Sequence, residues 1–376
     1  ASLSQVHRAC LQEDGREVVV KVQLPDVAES VATDLAMVDF FSRWFDAATS
    51  ELVREVKEHV LRELDFKAEA TSLEIVSRGL QKAFPSVQVP QPVAKLCTPT
   101  MLVMTFVPGV SIVDGVLHEL AVMPYTGQGA EKSEAEAPAR AAKTSAVVVA
   151  ALYGCRAVRS LGIATYNRSF ASLGLPAIRH DPIEINRRIW EVQGHQLFTQ
   201  GFFNTDAQAG NFLVHNGKLG IIDFGQMCSL GMETRVRLAR LFVAFAEGDD
   251  TEIAKRQAQL GTRTRHMRSE QLRLHAIFAF GFLNKDVPKR REELDRADPL
   301  LCSRRDPKLI FVERMLWLLR GLNVYMGIPG INHSMNIWPP IAQALLAEHG
   351  AHYAVEDATT ERVHLDIDFP SENQAG

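Results

Sequence analysis

Two aspartates and an asparagine stand at a spacing that chemistry can use. Asp206 and Asn211 frame the run D-A-Q-A-G-N, and Asp223 opens D-F-G twelve residues after Asn211. Between them, Phe212–His215 and Leu219–Ile222 read as short strands around the turn Asn216-Gly217, a strong hairpin signal. A hairpin returns the chain, so groups at its two ends can face one cleft. There a carboxylate can orient or deprotonate an attacking oxygen. An Asn carbonyl and a second carboxylate supply the hard oxygen donors that Mg²⁺ takes alongside phosphate and water oxygens. Either short pattern alone recurs by chance; both together across a hairpin are far rarer. The apolar run Gly220-Ile221-Ile222 predicts that the backbone at Asp223 is held by burial.

This spacing matches the protein-kinase order of catalytic loop, hairpin and metal-binding D-F-G. That order also requires a lysine on a strand, and Lys21 stands in V-V-V-K-V. A lysine among valines in a buried strand needs an anion opposite it, whereas on an edge strand it would simply face water. In the kinase order it meets the α/β-phosphates of ATP and pairs with a helix glutamate. The candidates for that partner are Glu63, Asp65 and Glu69 in R-E-L-D-F-K-A-E-A. Asp65 and Glu69, four apart, are expected on one helix face, and Leu64 and Phe66 predict partial burial. No G-x-G-x-x-G precedes Lys21. The residues in its place begin Ala1-Ser2-Leu3-Ser4, and their Cβ atoms would hold such a loop farther from phosphates than glycines do.

The elements that must position these groups are legible in outline. Residues 16–24 predict a strand after the turn Asp14-Gly15. Residues 26–83 lack proline and repeat apolar positions at helical spacing (Leu35, Val38, Phe41, Phe45; Val53, Val56, Val60, Leu64), so two or three helices are expected. M-L-V-M-T-F-V reads as a buried strand ended by Pro108-Gly109. Residues 127–143, rich in Ala, Glu and Lys without an aromatic, read as a solvated insertion. Ile183–Gln200 and most of Glu233–His349 read as helical, with breaks at Pro288, Pro299, Pro307 and Pro329, and the last twenty-odd residues as an acidic tail. The expected organisation is a small mixed lobe over 1–112, an insertion and the start of a second lobe over 113–182, a helical lobe over 183–350 and a tail over 351–376.

Composition sets the frame. The chain has 376 residues, 46% hydrophobic and 23% charged, with a net charge of −4, which fits a folded protein and implies no strongly basic surface for nucleic acid. Its five cysteines are scattered without C-x-x-C, arguing against a disulfide framework or a zinc site. Ala1 stands first, so the chain is read as truncated at its start. The longest apolar stretches, such as Ser145–Tyr153, are too short to cross a bilayer.

Taken together, A-S-L-S-Q-V-H-R-A, V-V-V-K-V-Q-L-P, R-E-L-D-F-K-A-E-A, T-F-V-P-G-V-S-I, the loop around Asp206 and I-I-D-F-G resemble the UbiB/aarF-domain atypical kinases, the coenzyme Q- or prenylquinone-linked family. The resemblance runs from residue 1 to about 225 and implies an α+β, two-lobed protein-kinase-like fold in which an alanine-rich loop replaces the glycine-rich one. It implies that Ala1 and Ser2 belong to that loop and that Lys21 is the ATP lysine. Glu63 and Asp65 would form an E-x-D element, with Glu69 pairing to Lys21. Asp206 would be the catalytic-loop aspartate, and Asn211 and Asp223 the Mg²⁺ ligands. Where the family has H-A-D-P-H-P-G-N, this chain has N-T-D-A-Q-A-G-N. Loss of the prolines is expected to loosen the loop, and loss of the histidines to remove ring contacts holding it near D-F-G. The family's K-x-G-Q element is not in this chain.

The function implied is an ATP- and Mg²⁺-dependent atypical kinase or ATPase supporting quinone-lipid biosynthesis in mitochondria or plastids. Its partners would be nucleotide, a quinone-like lipid with peripheral membrane contact, and other proteins. Two other readings stand beside it: a nucleotide-binding pseudokinase scaffold, motivated by the altered loop, and a small-molecule kinase of the choline or aminoglycoside type, which also uses D-x-x-x-x-N followed by an Asp.

Overall fold

The computed structural model describes residues 4–42, 47–112, 181–281, 287–302, 306–326 and 333–353. Ala1, Ser2, residues 113–180 of the expected 113–182 segment and residues 354–376 of the expected 351–376 tail lie outside them.

The small lobe opens with an antiparallel sheet in the order β1 (Ser4–Cys10), β2 (Glu17–Gln23), β3 (Met101–Thr105). The valine-rich strand is therefore central, not an edge. Lys21 pairs with Val6 on one side and Leu102 on the other. Cross-strand partners share a face, so Lys21 looks the same way as Leu102, which is wholly buried. Three helices follow β2: α1 (Val27–Ser42), α2 (Ala47–Glu63) and α3 (Phe66–Ala83). Helix α3 buries Phe66, Ala70, Leu73, Val76 and Leu80 at the 3–4 spacing of an amphipathic helix. Glu69 and Ser77 are the polar side chains on that buried stripe. Asp65 starts the helix as its N-cap, accepting from the backbone N–H of Lys67 at 3.0 Å and of Ala68 at 3.3 Å.

The large lobe is mostly helical. Asp181 caps α4 (Pro182–Gly194), which runs into a π-helical turn at His195–Gln200. Pro182 sits in the first turn, where its missing N–H costs nothing. The expected hairpin is present as β6 (Phe212–His215) and β7 (Lys218–Ile221), one residue earlier in its second strand than predicted. Asn216 and Gly217 turn it with φ of 49° and 74°, the left-handed pair that a two-residue turn requires. Short β4 (Val110–Ser111) pairs with β6, and β5 (Phe202–Asn204) pairs with β8 (Met227–Ser229). The segment between α3 and β3 docks on this hairpin: Gln88 donates to Leu219 O at 2.8 Å and accepts from Ile221 N at 2.9 Å. The D-F-G strand is thus tied to the small lobe by backbone bonds.

Helices α5 (Met232–Glu247), α6 (Asp250–Gln259), α7 (Ser269–Ala279), α8 (Val287–Ala297), α9 (Leu309–Tyr325) and α10 (His333–His349) complete the lobe. Pro288 lies in the first turn of α8, so the expected break in the helical pattern falls where that helix begins, as N-terminal prolines allow. Several short strands escaped the sequence analysis, among them β5, β8, β9 (Arg263–Thr264) and β10 (Leu300–Cys302), whose two or three residues carry no periodicity. The core is built around Trp338. Its ring centroid lies 5.1 Å from Phe242, 5.3 Å from Trp190 and 5.9 Å from Phe198, and its Nε1 donates to Trp190 O at 2.8 Å. Phe198, in the π-helical turn just before β5, joins this core to the strand that leads to Asp206. Phe198→Ala should therefore cost about 3–5 kcal/mol in urea-unfolding free energy. A loss under about 1 kcal/mol would show that this ring is dispensable to the core.

Candidate active site

The cleft between the lobes is organised by Lys21. Its Nζ donates to Glu69 Oε1 at 3.1 Å and Oε2 at 3.0 Å, and lies 3.8 Å from Asp223 Oδ2. The Phe66 ring flanks it at 5.1 Å. Its side chain is 14% exposed and that of Glu69 3%, so both charges have left bulk water and each needs the other. Burial pulls the Lys21 ammonium down, but Asp223 and Glu69 together outweigh it and hold it above its usual value. Burial pushes the Glu69 carboxyl up to about 7, opposed by Lys21 and reinforced by Asp223.

The three acidic residues of R-E-L-D-F-K-A-E-A do three separate jobs. Glu69 holds Lys21. Asp65, expected on the same helix face as Glu69, instead stands outside the helix as its cap, because a side chain that accepts from the first-turn N–H groups must precede them. Glu63 ends α2 and accepts from Gln226 Nε2 at 3.0 Å, next to D-F-G. Burial raises the Glu63 carboxyl, and Asp223 adds to this against the Gln226 hydrogen bond.

Asp206 and Asn211 are tied together directly. Asn211 Nδ2 donates to Asp206 O at 2.9 Å and to Asp206 Oδ2 at 3.1 Å. With both amide protons engaged, its Oδ1 is the atom left to offer an incoming cation. Asn211 O accepts from Ile222 N at 3.1 Å, which sets the loop beside Asp223. Asp223 Oδ1 accepts from Gly225 N at 3.0 Å. A Cβ at Gly225 would sit 3.3 Å from Glu69 Oε2 and 3.4 Å from Asp223 Oδ1, so the glycine of D-F-G leaves room where two carboxylates close in. Burial raises the Asp206 carboxyl; Arg314 opposes this and Asp223 adds to it.

Residues outside the sequence reading do much of the positioning. Asn204 takes the place of the family's histidine, whose loss was expected to free the loop from D-F-G. Instead its Nδ2 donates to Asp223 O at 2.7 Å and its Oδ1 accepts from Asp206 N at 2.8 Å, so one short amide performs the bridging. Arg314, on α9, donates to Asp206 Oδ1 at 2.9 Å and to Gln226 Oε1 at 2.6 Å. His59, on α2, bonds Thr205 Oγ1 at 3.1 Å and stacks on Phe311 at 4.3 Å, which lays α2 against the loop around Asp206. Val6 shares the face of Lys21 as its cross-strand partner yet is 61% exposed, an apolar surface beside the ammonium. Asn204 was visible as a departure from a motif; Arg314 and His59 had no local signal.

Comparison with known proteins gives the family and the fold. The ABC1 atypical kinase-like domain matches residues 1–137 and 160–257, more than half of the chain. The chain belongs to the ABC1 atypical kinase-like family. It is 26% identical over 274 residues to a probable protein kinase UbiB of Cronobacter sakazakii, covering 69% of this chain and 40% of that one. It is 27% identical over 279 residues to AarF domain-containing protein kinase 1 of Gallus gallus, covering 69% and 41%. A chloroplastic relative from Arabidopsis thaliana, ACTIVITY OF BC1 COMPLEX KINASE 1, is 25% identical over 270 residues, covering 69% and 31%. The chain thus spans less than half the length of these relatives. A Mycobacterium tuberculosis protein solved in complex with erythromycin shares the fold, with a TM-score of 0.51 at 18% identity over 91% of this chain and 76% of that one. The fold is the α+β, two-lobed kinase-like one.

In this ABC1 domain, His59 makes stability depend on pH. Burial lowers its imidazole from 6.5 to about 4, with the Arg314 and Arg62 cations adding to the effect. The unfolded chain then binds a proton that the folded one refuses, so stability is full above pH 6.5 and is lost as pH falls toward 4. His59→Gln should flatten that loss by about 2–3 kcal/mol, read as unfolding free energy at pH 7.5 and pH 4.5. Parallel pH curves for both proteins would refute the assignment.

Proposed function

We propose that this ABC1-family domain is an ATP- and Mg²⁺-dependent phosphotransferase or ATPase. The observation that supports this best is the contact of Lys21 with Glu69 and Asp223 at one cleft, with Asp206 and Asn211 bound to each other next to it. Four carboxylates (Glu63, Glu69, Asp206 and Asp223) share this cleft with the cations Lys21 and Arg314, and an excess of negative charge suits a divalent ion. Among the described residues no three His, Cys, Asp or Glu side chains cluster as a metal cage. Mg²⁺ would be taken up by two protein oxygens, from Asn211 and Asp223, plus phosphate and water oxygens. Bound there, the ion would neutralise phosphate charge.

The residues then take these roles. Lys21 holds the α/β-phosphates, and Glu69 fixes the direction of its ammonium. Asp206 orients the attacking hydroxyl or water and accepts its proton as the oxygen bonds to the γ-phosphorus and the bond to the ADP oxygen breaks. Val6 offers an apolar surface to the base. By the family resemblance Ala1, Ser2 and Glu63 would belong to the nucleotide site, while Asp65 acts through the start of α3. We extend the proposal, from the family and its chloroplastic relative, to support of quinone-lipid biosynthesis in a mitochondrion or plastid, with a quinone-like lipid at a membrane surface and protein partners.

The test is Mg²⁺-dependent ATP turnover by the chain. Lys21→Ala and Asp223→Asn should each lower kcat/KM by about 100-fold or more, since each removes charge stabilisation from the transferring phosphate. Nucleotide binding without turnover in the wild type would select the scaffold reading instead.

A further inference from the structure

Arg314 stands apart from every motif, and its contacts are specific. It lies 108 residues beyond Asp206, on α9. One terminal nitrogen donates to Asp206 Oδ1 at 2.9 Å and the other to Gln226 Oε1 at 2.6 Å. The far end of the same amide, Gln226 Nε2, donates to Glu63 Oε2 at 3.0 Å. A donor on one side and an acceptor on the other leave that amide a single orientation. The result is a directed chain of contacts, Glu63–Gln226–Arg314–Asp206. It begins on the last residue of α2 in the small lobe and ends on a carboxylate of the large one. The backbone of Gln226 adds to the hold, because its carbonyl accepts from Thr205 N at 2.9 Å and Thr205 Oγ1 at 3.0 Å.

This bridge orients Asp206 without closing it off. A carboxylate oxygen has two acceptor directions. Arg314 takes one on Oδ1 and Asn211 one on Oδ2, so one direction on each oxygen stays open to an attacking group. The Arg314 side chain is 43% exposed and that of Asp206 14%. The guanidinium thus keeps much of its hydration while directing a largely covered carboxylate. Its planar fork reaches two acceptors from two segments at once, which a lysine ammonium does not reproduce.

We propose that Arg314 is a positioning residue for Asp206, and that the Glu63–Gln226–Arg314 bridge holds the Asp206 carboxylate in its working orientation while α2 is docked on the catalytic loop. The kinetic part of this inference rests on the phosphotransfer reading; the bridge itself does not.

The experiment compares the wild-type chain with Arg314→Ala, Arg314→Lys and the near-isosteric Gln226→Glu, which keeps an acceptor for Arg314 but sets a carboxylate against Glu63. Two readouts are taken: steady-state MgATP turnover, and hydrogen–deuterium exchange of the amides of residues 204–211. Both Arg314 variants should lower kcat by about 10- to 100-fold, the cost of a misplaced reacting group. KM for MgATP should stay within about threefold, because Arg314 touches Asp206 and not Lys21. Gln226→Glu should lower kcat by about tenfold, and the 204–211 amides should exchange faster in all three variants. Full turnover in Arg314→Ala, or restoration of turnover by Arg314→Lys, would overturn the positioning role. If the wild type does not turn over MgATP, the phosphotransfer reading fails on its own. The bridge is then decided by exchange alone, and unchanged protection in Arg314→Ala sinks it.

Discussion

An ammonium group held out of water by carboxylates from both lobes is the constraint around which the rest is arranged. Lys21 comes from the central strand of the small sheet, Glu69 from the buried stripe of α3, and Asp223 from the end of the hairpin. A charge this far from solvent is tolerated only where an opposite charge meets it. The sheet register, the packing of α3 and the docking of Gln88 on β7 must therefore all agree to within hydrogen-bond tolerance. Asp65 contributes to the same agreement from a distance. By capping α3 it sets where the helix begins, and hence which way Glu69 points.

The second layer is neutral and short. Asn204 and Gln226 are amides, and an amide presents a donor and an acceptor at opposite corners. Asn204 uses the pair to join the backbone at Asp206 to the backbone at Asp223. Gln226 uses it to join Glu63 to Arg314. Cross-linking of this kind needs no extra charge in a cleft already crowded with carboxylates. It also explains why exchanging a histidine for Asn204 does not detach the loop from D-F-G.

Much of the fold could be read from local pattern. The valine-rich strand, the proline-free helical stretch, the Asn216-Gly217 hairpin and the helical second half all show in periodicity or turn chemistry. What escaped was short or depended on context. The strands β8, β9 and β10 have at most three residues and exist because a partner strand is nearby. Pro288 marks the expected break, but only the structure shows that it stands in the first turn of the next helix. The partner of Lys21 was narrowed by the residues to Glu63, Asp65 or Glu69, and singled out only through the family resemblance.

The amino-acid sequence by itself determined the family, the two-lobed α+β plan and the presence of an Asp–Asn–Asp set around a hairpin. These rest on residue types and short spacings, which covalent connectivity makes local. Tertiary structure decided the rest: that Glu69 faces Lys21 while Asp65 caps a helix, that Asn204 bridges the loop to D-F-G, and that Arg314 reaches Asp206 across 108 residues. A long-range contact leaves no mark on the spacing of the residues that make it. Its geometry comes from the packing of α2 and α9 against the loop around Asp206, and that packing is a property of the whole core.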